Sequence, residues 1–121
     1  PRLVAISPNT LVSGTEEKTL KLFIALANFL KFLRKMGFNS NKQLMRMDLM
    51  LTDIGITDAE LSSIKTRIFI IYAEKDMIKE DHILHIIRQI PGSLVRRIPD
   101  CTHMSIIHKT DALAAMREFL A

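Results

Sequence analysis

Cysteine, aromatic residues and long apolar runs are all scarce in this sequence, and each shortage narrows what the chain can be. The single cysteine, Cys101, excludes an internal disulfide bond and favours a reducing compartment, so we expect a cytoplasmic protein. One tyrosine, no tryptophan and no recognisable binding motif argue against a nucleic-acid partner, despite the formal charge of +4. The charge-free run Leu22–Leu30 is about half as long as a membrane span requires, and the first residues do not read as a secretory signal.

What remains is an ordinary globular composition. The 121 residues are 48% hydrophobic and 25% charged, which supplies a core for one domain at most. Short apolar runs predict an α/β fold of about three parallel strands, at 2–7, 67–73 and 93–98, with helices packed around them. Helical periodicity and capping patterns predict the helices at about 15–36, 39–53, 58–63, 79–90 and 113–120.

Two predicted strands in the second half each lead to a side chain that can do chemistry. The run Ile68–Ala73 has no polar alternation and is followed by Asp76, and the run Leu94–Ile98 is followed by His103. One predicted helix separates them, and a right-handed crossover between parallel neighbours brings both strand ends to the same edge of the sheet. The sequence therefore predicts that a carboxylate oxygen of Asp76 lies about 2.6–3.2 Å from a ring nitrogen of His103.

The order strand, Asp76, helix, strand, His103, helix resembles the C-terminal part of an α/β-hydrolase, whose nucleophile, acid and histidine follow in that order along the chain. The residues Ala73-Glu-Lys-Asp76 match the ending of the family's acid-bearing strand. The resemblance implies that Asp76 is the catalytic acid and His103 the base that it orients. It also implies acyl hydrolysis of the carboxylesterase, thioesterase or lipase kind, on a small ester or acyl substrate and without a cofactor.

The nucleophile of such an enzyme is missing from the sequence. The only glycines are Gly14, Gly37, Gly55 and Gly92, and none flanks a Ser, Cys or Asp in the Gly-x-Ser-x-Gly spacing of the family's nucleophile turn. The chain alone is therefore predicted to be inactive. We expect it to associate with itself or with the missing N-terminal part, and an enzyme with an Asp nucleophile (an epoxide hydrolase or dehalogenase) and a non-catalytic binding module remain alternatives.

The resemblance divides the chain into a helical cap segment at 10–63 and a core segment at 64–121 that bears the acid and the histidine. In the first segment, Ser13–Glu16 and Thr57–Glu60 have the pattern of capping boxes. The predicted helix at 15–36 has an apolar stripe that we expect to be packed, with a lipid-binding face as the alternative. The stripe consists of Leu22, Phe23, Leu26, Phe29, Leu30 and Leu33.

Several other residues could take part in chemistry but fit it less well. Cys101 could pair with His103 as a nucleophile, although a small buried core residue is the better interpretation. His82 and His85 have the spacing of metal ligands on a helix, but no third ligand is apparent, so we predict no metal. If Asp76 is not the functional residue at the strand end, Glu74 and Lys75 are the alternatives. His108 is the alternative base.

Overall fold

The computed structural model describes all residues from 1 to 121 and contains one parallel sheet of three strands in the order β1-β2-β3. The strands are β1 (Arg2–Ile6), β2 (Arg67–Lys75) and β3 (Leu94–Thr102). The helices are α1 (Glu17–Lys35), α2 (Asn41–Met50), α3 (Asp58–Ser62), α4 (Glu80–Gln89) and α5 (Thr110–Leu120), and 3-10 turns lie at Val12–Gly14 and Ile106–His108. The predicted α/β class and the parallel sheet are confirmed.

The central strand β2 is buried on both faces, which explains its continuous run of apolar residues. Ile68, Ile70 and Tyr72 point to one face, where they pack with the isoleucines of α4. Phe69 and Ile71 point to the other face, where they pack with Ile98 of β3 and the alanines of α5. Because both faces of β2 are covered, the strand is fixed in register, and its carboxyl end is a rigid platform for the residues that follow.

The chain folds as two compact units. One unit comprises Pro1–Asn9 and Ile56–Ala121 and contains the whole sheet with α3, α4 and α5. The other comprises Thr10–Gly55 and contains α1 and α2. The second unit is thus an insertion between β1 and α3.

The two ends of this inserted unit are joined by hydrogen bonds. The Ile54 amide donates to the Thr10 carbonyl at 3.2 Å, and the Val12 amide donates to Asp53 Oδ1 at 2.6 Å. The point where the chain enters the unit and the point where it leaves therefore lie side by side.

One expectation for this unit is wrong and another holds only in part. The Ser13–Glu16 capping box does not form, because Val12–Gly14 makes a 3-10 turn and α1 begins at Glu17 without a side-chain cap. The apolar stripe of α1 is packed only in part, since Leu22 is 64% and Phe29 55% exposed, whereas Phe23, Leu30 and Leu33 are half-buried. Long periodic helices can thus form with only one fully buried residue, here Ala27.

The other predicted capping box is confirmed. Thr57 and Glu60 form both hydrogen bonds of a capping box at the start of α3. Gly37 follows α1 with a φ of 91°, a conformation in which glycine has no steric cost. No helix in the chain has both the length and the apolar character needed to cross a membrane.

Candidate active site

Asp76 and His103 meet at the carboxyl ends of β2 and β3. Asp76 directly follows the last residue of β2, and His103 directly follows the last residue of β3. His103 Nδ1 lies 2.8 Å from Asp76 Oδ1, which is within the predicted distance. The parallel pairing of the two strands produces this meeting, as the sequence predicted, while the catalytic role of the pair stays a prediction.

The carboxylate of Asp76 is held by four donors, two on each oxygen. Oδ1 accepts from His103 Nδ1 and, at 3.1 Å, from the Ile78 amide. Oδ2 accepts from the Ser7 hydroxyl and, at 3.0 Å, from the Ala73 amide. With its side chain only 3% exposed, Asp76 has its hydrogen-bonding capacity filled by the protein.

These donors decide the charge of Asp76. Burial, the largest single influence, raises the pKa of the carboxyl, but the hydrogen bonds from His103, Ser7, Ala73 and Ile78 together outweigh it and lower the pKa to about 2. Asp76 is therefore ionised throughout the physiological pH range. A carboxylate accepts hydrogen bonds only, so His103 Nδ1 must carry the proton that it shares with Asp76.

Asp76 should make the chain sensitive to acid. Because its pKa is lower in the folded state than the ordinary 3.8, ionised Asp76 stabilises the fold above about pH 4, and this stability is lost as the pH falls toward 2. The full contribution is about 2 kcal/mol. Urea unfolding at pH 5 and pH 2.5 should show a loss of free energy of unfolding that is about 1–2 kcal/mol larger for the unaltered chain than for Asp76→Asn. Equal losses would contradict the assignment.

The second ring nitrogen of His103 differs from the first in its surroundings. Nδ1 is occupied by Asp76, whereas Nε2 has no hydrogen-bond partner in the chain, and the side chain is 30% exposed. In the tautomer that Asp76 imposes, Nε2 has a free lone pair. The imidazole can therefore accept a proton from a group that approaches from solvent or from another polypeptide segment.

A bulge in β3 places the backbone that leads to His103. Ala73 pairs with Ile98 and Lys75 pairs with Thr102, so three residues of β3 stand opposite the single residue Glu74. Inside the bulge, Asp100 has a φ of 49°. The Asp100 amide donates to Glu74 Oε2 at 2.9 Å, which lowers the pKa of that carboxyl and satisfies a donor that the sheet leaves unpaired.

The same carboxylate is supported from β3. Arg97 Nη2 lies 3.4 Å from Glu74 Oε1, and Arg97 Nε lies 3.5 Å from Glu80 Oε2. Glu74, considered above as a substitute for the acid, thus lies against the bulge and Arg97 and does not bond to His103. Its place in the structure is to hold the turn that carries the histidine.

Ser7 is the site residue that sequence reasoning missed. It lies just after β1, is 4% exposed, and donates its hydroxyl to Asp76. In the sequence Ser7 precedes Pro8 and looks like the end of a strand. Its position could have indicated a role, because it is a polar residue at the carboxyl end of a strand that neighbours the acid-bearing strand.

The remaining candidates do not join the pair. Cys101 is 3% exposed, with its thiol directed at the Ile98 carbonyl at 3.3 Å, which confirms the prediction of a small buried core residue. His108 and Lys75 are exposed and make no hydrogen bond to Asp76. His85 Nε2 is 2.9 Å from Asp58 Oδ1 in α3, and the chain has no group of three or more His, Cys, Asp or Glu residues that could hold a metal ion.

A cleft of about 390 Å³ lies at the opposite ends of the strands and contains neither member of the pair. Arg2 and Arg67 line it together with Phe119. Arg2 Nη1 donates to the Phe119 carbonyl at 2.8 Å, and the Arg67 guanidinium carbon is 6.0 Å from the centre of the Phe119 ring. These arginines stabilise the end of α5. Their side chains are occupied in this way, and the cleft contains none of the candidate acids and bases named above, so the candidate active site is the Asp76–His103 pair.

No protein-family model and no curated protein matches the chain. Solved structures do. BpoC from Mycobacterium tuberculosis, named as a non-heme bromoperoxidase, matches 98% of this chain with a TM-score of 0.68 and 12% identity. Carboxylesterase CesB from Bacillus subtilis matches 99% with a TM-score of 0.65 and 16% identity. The alpha/beta hydrolase enzyme MGS-M2 from a deep-sea metagenome matches 95% with a TM-score of 0.64 and 15% identity.

In each case the likeness covers nearly all of this chain and only part of the other. The chain spans 57% of BpoC, 51% of CesB and 54% of MGS-M2, about half the length of each. At these identities the likeness concerns the fold, and roles for individual residues must come from the geometry. The three-stranded parallel sheet, its packed helices and these structural neighbours together identify the fold of this chain as a partial α/β-hydrolase fold.

Proposed function

We propose that this chain supplies the acid and the base of a hydrolase that cleaves esters or related acyl compounds. The observation that carries the proposal is the pair at the strand ends: a buried, ionised Asp76 bonded to Nδ1 of His103, with Nε2 of the same ring unpartnered. In this arrangement the carboxylate fixes the tautomer and the orientation of the base. The nucleophile would come from a polypeptide segment outside this sequence.

The chemistry assigned to the pair has two proton transfers. His103 Nε2 takes the proton from a nucleophilic hydroxyl as that oxygen attacks the acyl carbon, and the resulting imidazolium is stabilised by Asp76 through Nδ1–H. The imidazolium then donates the proton to the departing alkoxide, which leaves the acyl group on the nucleophile. The same two transfers with water as the attacking group then release the carboxylic acid and restore the hydroxyl. Asp76 keeps its charge throughout, which its pKa of about 2 supports.

An acyl substrate is supported by one named neighbour. CesB is described as a carboxylesterase, and this chain is similar to it over 99% of its own length. We extend only the substrate class, a small carboxylic ester, from that protein to this one. The 30% exposure of the His103 side chain supports access of a small substrate to the ring.

The proposal is tested by joining Pro1 to the N-terminal segment of CesB that precedes the matching strand. We expect the purified chimera to hydrolyse p-nitrophenyl butyrate. The 121-residue chain alone should show no turnover above that of its own His103→Ala variant, because its sequence contains no Gly-x-Ser-x-Gly nucleophile turn.

Two outcomes would contradict the proposal. One is a chimera that melts cooperatively and hydrolyses no ester. The other is turnover by the chain alone that disappears in the His103→Ala variant, which would mean that a nucleophile lies within this sequence, with Cys101 the first to be replaced.

A further inference from the structure

A buried hydroxyl at the end of β1 makes contact with the acid from a different strand. Ser7 is 4% exposed and has a φ of 43°, a backbone conformation that is unfavourable for a residue with a Cβ atom. Its amide donates to the Ile71 carbonyl at 2.8 Å, which holds the end of β1 against β2. Its hydroxyl donates to Oδ2 of Asp76.

The position of Ser7 excludes it as the attacking group. A nucleophile must approach Nε2 of His103, but the Ser7 hydroxyl is bonded to Asp76, on the oxygen opposite to the one that His103 uses. Ser7 and His103 therefore hold the two sides of the same carboxylate.

We propose that Ser7 is a positioning residue that fixes the orientation of the Asp76 carboxylate toward His103, an inference that rests on the proposed function. The two amide donors, from Ala73 and Ile78, lie within three residues of Asp76 along the chain. Ser7 is the one donor to Oδ2 that comes from a neighbouring strand. Together with these amides it restrains the carboxylate against rotation about its Cβ–Cγ bond, and it couples the end of β1 to the acid–base pair.

The strained backbone supports this assignment. Glycine would adopt a φ of 43° without steric strain, yet the residue here is serine. Its hydroxyl makes a hydrogen bond to the Asp76 carboxylate that glycine could not make. Strain of this kind persists where surrounding contacts enforce it, and it concentrates at functional sites. The hydroxyl also fills the last place on Oδ2, so its loss would leave that oxygen open to water.

The test uses the complete chain and measures the titration of the Asp76 carboxyl carbon by ¹³C NMR. Two variants remove the hydroxyl: Ser7→Ala, and Ser7→Gly, which suits the backbone conformation and keeps the fold if alanine does not. The matched control is Ser40→Ala, since Ser40 is also 4% exposed and donates its hydroxyl to the Leu30 carbonyl at 2.9 Å, within the other unit of the chain.

We expect both Ser7 variants to weaken the acidity of Asp76 roughly tenfold, because a hydrogen bond to the ionised form is lost. The Ser40→Ala control should leave the titration unchanged. An Asp76 titration in Ser7→Gly equal to that of the unaltered chain overturns the inference. Where acid unfolds a variant, the Nδ1 proton resonance of His103 near neutral pH replaces the titration. It should move upfield, because a carboxylate that Ser7 no longer orients makes a less well aligned hydrogen bond to Nδ1–H, and an unchanged resonance overturns the inference.

One further variant separates this inference from the proposed function. His103→Ala should also raise the pKa of Asp76, since it removes another donor. An unchanged titration in His103→Ala contradicts the proposed acid–base pair and with it the positioning role. A shift in His103→Ala without a shift in Ser7→Gly contradicts the Ser7 inference alone.

Discussion

Asp76→Asn in the chimera with the CesB segment should lower kcat for p-nitrophenyl butyrate by about 10,000-fold. Asparagine keeps the size of the side chain, but its amide group can turn a donor toward Nδ1 and stabilise the tautomer in which Nε2 carries the proton. In that tautomer His103 cannot act as a base. The Ala73 amide keeps its acceptor on the remaining carbonyl oxygen, whereas the Ile78 amide loses its acceptor, so we expect the fold to survive with reduced stability.

His103→Ala should cause a loss of the same order, because the base itself is removed. His108→Ala is the matched control, since His108 is an exposed histidine of the adjacent turn and makes no bond to Asp76. It should leave kcat unchanged. Hydrolysis that survives His103→Ala and disappears with His108→Ala would assign the base to His108.

The second large effect concerns assembly. We expect light scattering of the chain alone at micromolar concentration to give a mass of at least twice 13.8 kDa. Strand β1 pairs only with β2, so its other edge presents unpaired backbone groups to which a further strand could bind. The exposed apolar side chains of α1 offer a second route to association.

Two substitutions distinguish these routes. Leu3→Lys places a charge on the open edge of β1, where Leu3 is 50% exposed, and should reduce association through strand pairing. Leu22→Lys places a charge among the exposed apolar side chains of α1, where Leu22 is 64% exposed, and should reduce association through that helix. A stable, cooperatively melting monomer of the unaltered chain would show that neither surface needs a partner.

The sheet and the acid–base pair were predictable from the sequence because short-range patterns determine them. An unbroken apolar run identifies β2 as a buried parallel strand, and the rule for right-handed crossovers then brings Asp76 and His103 to one edge. Thr57 and Glu60 were predictable for a similar reason, since a capping box forms within a few residues.

The rest depended on contacts between distant parts of the chain. Ser7 and Asp76 are separated by 69 positions, and no local pattern shows that a serine before a proline will turn toward a carboxylate. The bulge opposite Glu74 depends on the pairing of Lys75 with Thr102, which a sequence window around His103 does not contain. At Ser13, local capping competes with the bond between Val12 and Asp53, and the 3-10 turn forms instead.

The hydrogen bonds that join Thr10 to Ile54 and Val12 to Asp53 have a consequence for engineering and for evolutionary change. An insertion whose two ends lie side by side can be exchanged for another of different length or sequence without stretching the strands that flank it. All the donors on Asp76 belong to the other unit of the chain. We therefore expect that the region Thr10–Gly55 can be replaced without loss of the hydrogen bonds on Asp76.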